Sequence, residues 1–383
     1  MPLFVYSHNN FVSAIRLAEV KMIKKYLVVS ALIALVGGMA HPQAGTSVPP
    51  TEAKIHYDQA KQLEEKGDLN GAIKEYREAV RLKPDDMRLH TDLGIALSNH
   101  RELDAALAEF REAVRLAPNE PRTHLNLGTA LELKDDLPGA IAEFRESIRL
   151  DPNDEAAHYH LAATLKEQGK ISEAINEYRA ALRLKPDDFA VHLDLGNALR
   201  AAGDWNNAVA EYREAKRIKP DFLLASVNLG NALSDTGNYS AAISELQQAV
   251  RLDPNSANAH YNLGVVLFKS GNAAGDIAEQ LEALRLKPDY ALAHSELAWL
   301  YATEKEHRNP TEALKHAQTA VALDHWKTPG IIETLAESQF LNGMYQEAVD
   351  TEDKAMQLEP NAKELKKNLK RYQEALKKSQ RKH

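Results

Sequence analysis

Apolar and polar residues recur along most of this chain with the step of an amphipathic helix. In AIKEYREAVRLKP (72–84), Ala72, Tyr76 and Ala79 share one face, and Lys74, Glu75, Arg77 and Glu78 lie off it. That spacing predicts a helix with one buried side. The segment returns as AIAEFRESIRLDP (140–152), AINEYRAALRLKP (174–186) and AVAEYREAKRIKP (208–220). Each copy ends at a proline, which has no N–H and disfavours helix before it. An Asp or Asn follows most of these prolines and suits a cap for the next helix.

The prolines set the period. Pro84, Pro118, Pro152, Pro186, Pro220, Pro254 and Pro288 stand 34 residues apart. A period of this size marks stacked helix pairs. With the proline at position 32 of each unit, repeats start at 53, 87, 121, 155, 189, 223, 257 and 291, with a last one near 329. In this frame position 8 is Gly or Ala: Ala60, Gly94, Gly128, Ala162, Gly196, Gly230, Gly264, Ala298, Ala336. Position 20 is mostly Ala: Ala72, Ala106, Ala140, Ala174, Ala208, Ala242. Position 24 carries Tyr76, Phe110, Phe144, Tyr178 and Tyr212.

These positions resemble the tetratricopeptide repeat family over residues 53–360. The resemblance implies an all-α fold, a right-handed superhelical solenoid of about nine helix-turn-helix repeats. Small residues are expected where the two helices of a repeat cross, with the aromatic filling the gap to a neighbour. One repeat cannot bury both of its faces alone, so stacking is required. After Pro360, Leu365, Leu369, Tyr372 and Leu376 share a helical face and the opposite face is lysine-rich. Residues 361–383 are therefore expected to form a basic capping helix and tail.

Two repeats break the pattern. Asp276 stands where Ala is expected and Gln280 where the aromatic is expected. A carboxylate at a close crossing is costly unless paired or solvated. In the next repeat Ala313 lies three residues late, and His325 replaces the proline. Residues 272–312 read as an imperfect joint, open to interpretation as a hinge, a partner site or terminal drift.

Composition narrows the chemistry. There is no cysteine, which excludes disulfides, thiolate nucleophiles and thiolate metal sites. The net charge is −8, while residues 361–383 hold nine Lys/Arg against Glu364 and Glu374. The repeats are thus strongly acidic, which argues against nucleic acid as a partner. Lys24 and Lys25 precede the apolar run Tyr26–Val36, and Gly37, Gly38, Met39 and Ala40 follow it. This is the pattern of a secretory signal peptide over 1–40, with Met22 as a second possible start and cleavage after Ala40. Residues 41–52 read as a linker. Export to the periplasm or the extracellular space is expected; the alternative is an uncleaved N-terminal anchor. Membrane contact is expected only through that segment or the basic tail.

No catalytic or phosphate-binding signature is present, so neither enzymatic activity nor a cofactor is expected. Histidine recurs at position 4 as His56, His90, His124, His158, His192, His260 and His294. First helices of successive repeats stand about 10 Å apart, whereas metal ligands converge to about 2 Å from one ion. The row therefore reads as packing, and no metal is expected. The resemblance implies that the first helix of each pair lines an inner, concave groove through positions 2, 5, 6 and 9, where a protein or peptide segment binds. The partner-binding residues so implied are Asn126, Tyr159, Asp194, Asn197, Asn228, Asn231, Tyr261, Asn262 and Trp299. The asparagines resemble the ladder in the repeat region of O-linked N-acetylglucosamine transferase. An Asn amide both donates and accepts, so it can grip a peptide backbone. The family's two-carboxylate clamp needs cations where Leu193, Asn258 and Asn262 stand, so that ligand is not implied. The expected function is an interaction scaffold. Its rival is a non-catalytic subunit of an envelope secretion, pilus or polysaccharide assembly machine.

Overall fold

A computed structural model describes residues 51–381. The expected signal segment, 1–40, and nearly all of the expected linker lie outside the described residues. Among the described residues every regular element is an α-helix, nineteen in all. None is long and apolar enough to cross a membrane. They divide into two compact units, one ending at Asp204 and the other beginning at Trp205.

In the first unit, α1 (Glu52–Glu65) packs on α2 (Leu69–Leu82), α3 (Met87–Asn99) on α4 (Leu103–Leu116), and α5 (Pro121–Leu133) on α6 (Leu137–Leu150). Then α7 (Glu155–Glu167) packs on α8 (Ile171–Leu184), and α9 (Phe189–Ala201) follows. The first helices stand side by side, α3 with α5, α5 with α7 and α7 with α9.

Local chemistry sets the helix ends. The turn within a pair needs a left-handed residue, supplied by Gly67 at φ 80° and Gly169 at φ 82°, where a side chain would be strained. Asp68 and Asp136 then cap the second helix, each accepting from the N–H three residues on, at 3.0 and 3.1 Å. The caps of the first helices are the second residues after the prolines. Asp86, Asp154 and Asp188 accept from the N–H groups of Arg88, Ala156 and Ala190 at 3.1, 3.0 and 3.0 Å. Each such cap is worth about 1 kcal/mol.

The small and aromatic positions meet as expected. Tyr76, Phe110, Phe144 and Tyr178 are fully buried, as are Ala72, Ala106, Ala140 and Ala174. A Cβ added to Gly128 would lie 2.6 Å from the Phe144 ring, so the ring occupies the space that the missing side chain leaves.

In the second unit α10 (Trp205–Ile218) precedes four packed pairs: α11 (Leu223–Asp235) with α12 (Tyr239–Leu252), α13 (Ala257–Lys269) with α14 (Ala273–Leu286), α15 (Ala291–Thr303) with α16 (Pro310–Asp324), and α17 (Pro329–Leu341) with α18 (Tyr345–Leu358). The last helix, α19 (Lys363–Gln380), lies on α18. It buries Tyr372 fully against Ala336, Ala348 and Val349, with Leu369 and Leu376 alongside. Leu365 packs with Ile332 and Ala355.

The repeat without a proline closes differently. After α16 the chain turns left-handed at His325 and Trp326, φ 54° and 59°. The Asp324 carboxylate accepts from the N–H groups of Lys327 and Thr328 at 2.9 and 2.7 Å. A side-chain cap thus performs the stop that proline performs elsewhere.

Candidate partner-binding surface

The residues expected to face a partner fall into both units, and much of the row is internal. In the first unit Asn126, on α5, is buried. Tyr159 and Asp194, on α7 and α9, bond to each other, the phenol donating to the carboxylate at 3.0 Å. Lys166 donates to the other oxygen of Asp194 at 2.9 Å. The same bond recurs three repeats earlier, where Tyr57 donates to Asp92 at 2.9 Å. These carboxylates are therefore satisfied between adjacent first helices rather than held out for a ligand. Asn197 is half-buried on α9.

In the second unit Asn228 and Asn231 lie on α11, Tyr261 and Asn262 on α13, and Trp299 on α15. Tyr261 is buried, its ring tilted against Tyr290 at 5.4 Å. The Asn262 amide is buried and donates to the backbone and side-chain oxygens of Asn258, both at 2.6 Å. Asn228 is buried too. The cause is helix spacing: neighbouring first helices approach to about 8–10 Å, and short side chains on the facing sides are covered. Two members of the row are placed differently. Asn231 keeps a buried amide nitrogen that has no hydrogen-bond partner. Trp299 is half-buried and stands edge-on to Phe268, ring centroids 5.0 Å apart.

Two groups of buried carboxyls accompany this row in the second unit. Asp276 is fully buried, accepts from Gln280 at 2.8 Å, and lies close enough to the Glu296 carboxyl to feel its charge. Burial, then the Glu296 charge, pushes Asp276 far above the ordinary carboxyl range, so it is protonated at neutral pH. Gln280 also donates to the carbonyl of Tyr261 at 3.2 Å. Beside α19, Asn368 donates to Glu333 at 2.8 Å and Tyr372 to Glu337 at 2.7 Å. Burial pushes Glu333 up to about 7. Burial and then the Glu333 charge push Glu352 up to about 9. Glu352 occupies the place that the repeat usually gives to an aromatic. Its mismatch was open to the same position-by-position comparison that exposed Asp276.

Family models decide the assignment. A TPR repeat model matches residues 164–199, 196–237 and 230–271. Tetratricopeptide repeat models match 57–121, 91–155 and 143–176. Together the matches run unbroken from 57 to 271, more than half of the chain. The chain is a tetratricopeptide repeat protein. No curated protein matches it. Solved structures similar to this tetratricopeptide repeat array include YrrB, titled a TPR protein with an unusual peptide-binding site. It is 22% identical, with 48% of this chain and 95% of that chain covered and a TM-score of 0.44. MamA (41-end) from Desulfovibrio magneticus RS-1 is 19% identical over 44% of this chain and 96% of that one, TM-score 0.43. The APC/C hetero-tetramer Cut9–Hcn1 is 18% identical over 83% of this chain and 55% of that one, TM-score 0.48.

Within the tetratricopeptide repeats the histidine row is a set of ties. His90, His124, His158 and His260 each place Nδ1 2.6–2.7 Å from the carboxylate of Glu109, Glu143, Glu177 or Glu279 on the second helix. Their Nε2 atoms lie 2.9–3.2 Å from the carbonyl oxygens of Pro84, Pro118, Pro152 and Pro254. A carbonyl oxygen has no proton, so Nε2–H must donate to it. Each histidine therefore joins both helices of its repeat to the preceding loop, which explains its recurrence without a ligand. Glu177, by its hydrogen bond, raises His158 above the ordinary histidine range. His160 lies 3.5 Å from Glu132 and stacks on Phe144 at 5.6 Å.

Proposed function

We propose that this tetratricopeptide repeat scaffold holds an extended segment of a partner protein along its first helices, with Asn231 and Trp299 in the second unit as the principal contacts. The observation that carries the reading is the Asn231 amide, a buried donor with no hydrogen-bond partner. An unsatisfied buried donor costs about 1–3 kcal/mol, and a peptide carbonyl would relieve it. Trp299 adds a large half-buried ring on the same row, and tryptophan is over-represented among residues that dominate binding. The binding chemistry is non-covalent, and no residue is assigned a catalytic role. The reading places the protein outside the cytoplasm, supported by the lysine-led apolar run before Gly37.

Asn231→Ala combined with Trp299→Ala is expected to keep the helical circular-dichroism spectrum and to lose the protein captured from an envelope fraction by the unmodified chain. Undiminished capture of the same protein by the double variant would contradict the assignment. The buried pair Asn228 and Asn262 serves as a contrast: alanine there is expected to lower stability first.

A further inference from the structure

We propose that His294 and His316, in the repeat spanning α15 and α16, form a binding site for one borderline divalent transition-metal ion, Zn2+ or Cu2+. In at least five other repeats the histidine on the first helix meets a glutamate nineteen residues on. Here the partner is His316, twenty-two residues on, because the longer connection between the helices shifts the register. The two Nδ1 atoms point at each other across 2.8 Å, and the rings are tilted with centroids 5.1 Å apart. An imidazole pair is a ligand set suited to these ions.

The outer contacts favour metal binding as well. His294 Nε2 lies 3.0 Å from the carbonyl oxygen of Pro288, so that nitrogen carries the proton and Nδ1 presents a lone pair. This is how a metal-ligating histidine is usually oriented. His316 Nε2 lies 3.9 Å from the Glu312 carboxylate. Without metal, His316 donates its Nδ1–H to His294. When a metal binds, that proton moves to His316 Nε2 and faces Glu312, so no proton need be released. Metal–nitrogen bonds of about 2.0–2.1 Å in a tetrahedral site put the two nitrogens roughly 3.3 Å apart. The rings must therefore part by about half an ångström and each turn by roughly 35°, so that both lone pairs meet at the ion. Both side chains are only partly buried, and water can complete the shell. Among the described residues no group of three or more His, Cys, Asp or Glu is arranged to hold a metal.

The facing charged and titratable groups are Glu312 and Lys315 on α16 and Tyr301 on α15. Burial, then the neighbouring His294, lowers His316 to about 4, and burial lowers His294.

Titrating the full chain with Zn2+ by calorimetry tests the site, with Mg2+ as the hard-cation control. His316→Glu restores the residue type found at this place in the other repeats and should keep the fold; His316→Gln is the second variant. Saturable binding of one Zn2+ is expected, weakened by about tenfold or more in both variants, with no Mg2+ response. The Cu2+-loaded chain should show nitrogen hyperfine splitting from two imidazoles, lost in His316→Glu. Equal Zn2+ binding by the wild type and both variants would overturn the proposal. So would the absence of saturable binding in the wild type.

Discussion

Replacing Asp276 by alanine should stabilise the protein at neutral pH, an unusual direction for a change at a fully buried residue. An aspartate of ordinary pKa about 3.9 kept protonated at pH 7 costs about 4 kcal/mol relative to the unfolded chain. Alanine removes that cost and is the residue that seven other repeats place there. Two losses oppose the gain. Gln280 gives up one hydrogen bond, about 1 kcal/mol, and the smaller side chain leaves a gap worth about 1 kcal/mol. A net gain of about 2 kcal/mol remains at pH 7. The pH dependence is the sharper signature. A carboxyl raised on folding stabilises fully below its unfolded pKa, and that contribution is lost as pH rises towards its folded value. The variant should therefore gain on the wild type by up to about 1.4 kcal/mol for each pH unit above about 4. Urea unfolding of both proteins from pH 5 to 8, with hydrogen exchange in α14 to localise the change, measures this. An Asp276→Ala protein less stable than wild type at pH 8, or a difference independent of pH, would refute the buried, protonated assignment.

Further expected outcomes follow from the ties and the last helix. Glu177→Gln should bring the His158 titration midpoint, read by NMR, down towards the ordinary histidine value. Because His158 is raised on folding, its stabilising contribution is present below about pH 6.5 and lost as pH rises through the folded value, so the variant should lose stability mainly at acidic pH. Tyr372→Ala should cost about 3–5 kcal/mol as for other fully buried aromatics and release α19 first, seen as early hydrogen exchange over 363–380.

Much of the fold was legible because tetratricopeptide stacking writes its constraints at fixed intervals. The 34-residue proline step, Gly128 beneath Phe144 and the Ala72–Tyr76 pair are local consequences of one crossing geometry repeated many times. Asp276 was visible as a misfit for the same reason. What escaped depends on neighbours from another repeat. Nothing near Asp276 in sequence announces Glu296, and the insertion before α16 hides that His316 occupies a glutamate's place. The row of first-helix positions was legible as a face but not as a surface. Tyr159 looks available until Asp194 is seen to accept its hydrogen bond, and Asn262 until its amide is found turned back onto Asn258.

The central claim is that a partner lies along the first helices. Site-specific photocrosslinking tests it most directly, with the reactive residue placed at 299 on α15 and, separately, at Leu252 or Leu358, exposed at the ends of second helices. The expected result is one discrete crosslinked protein from position 299 and none from 252 or 358. The same adduct from 252 or 358, with none from 299, would contradict the account.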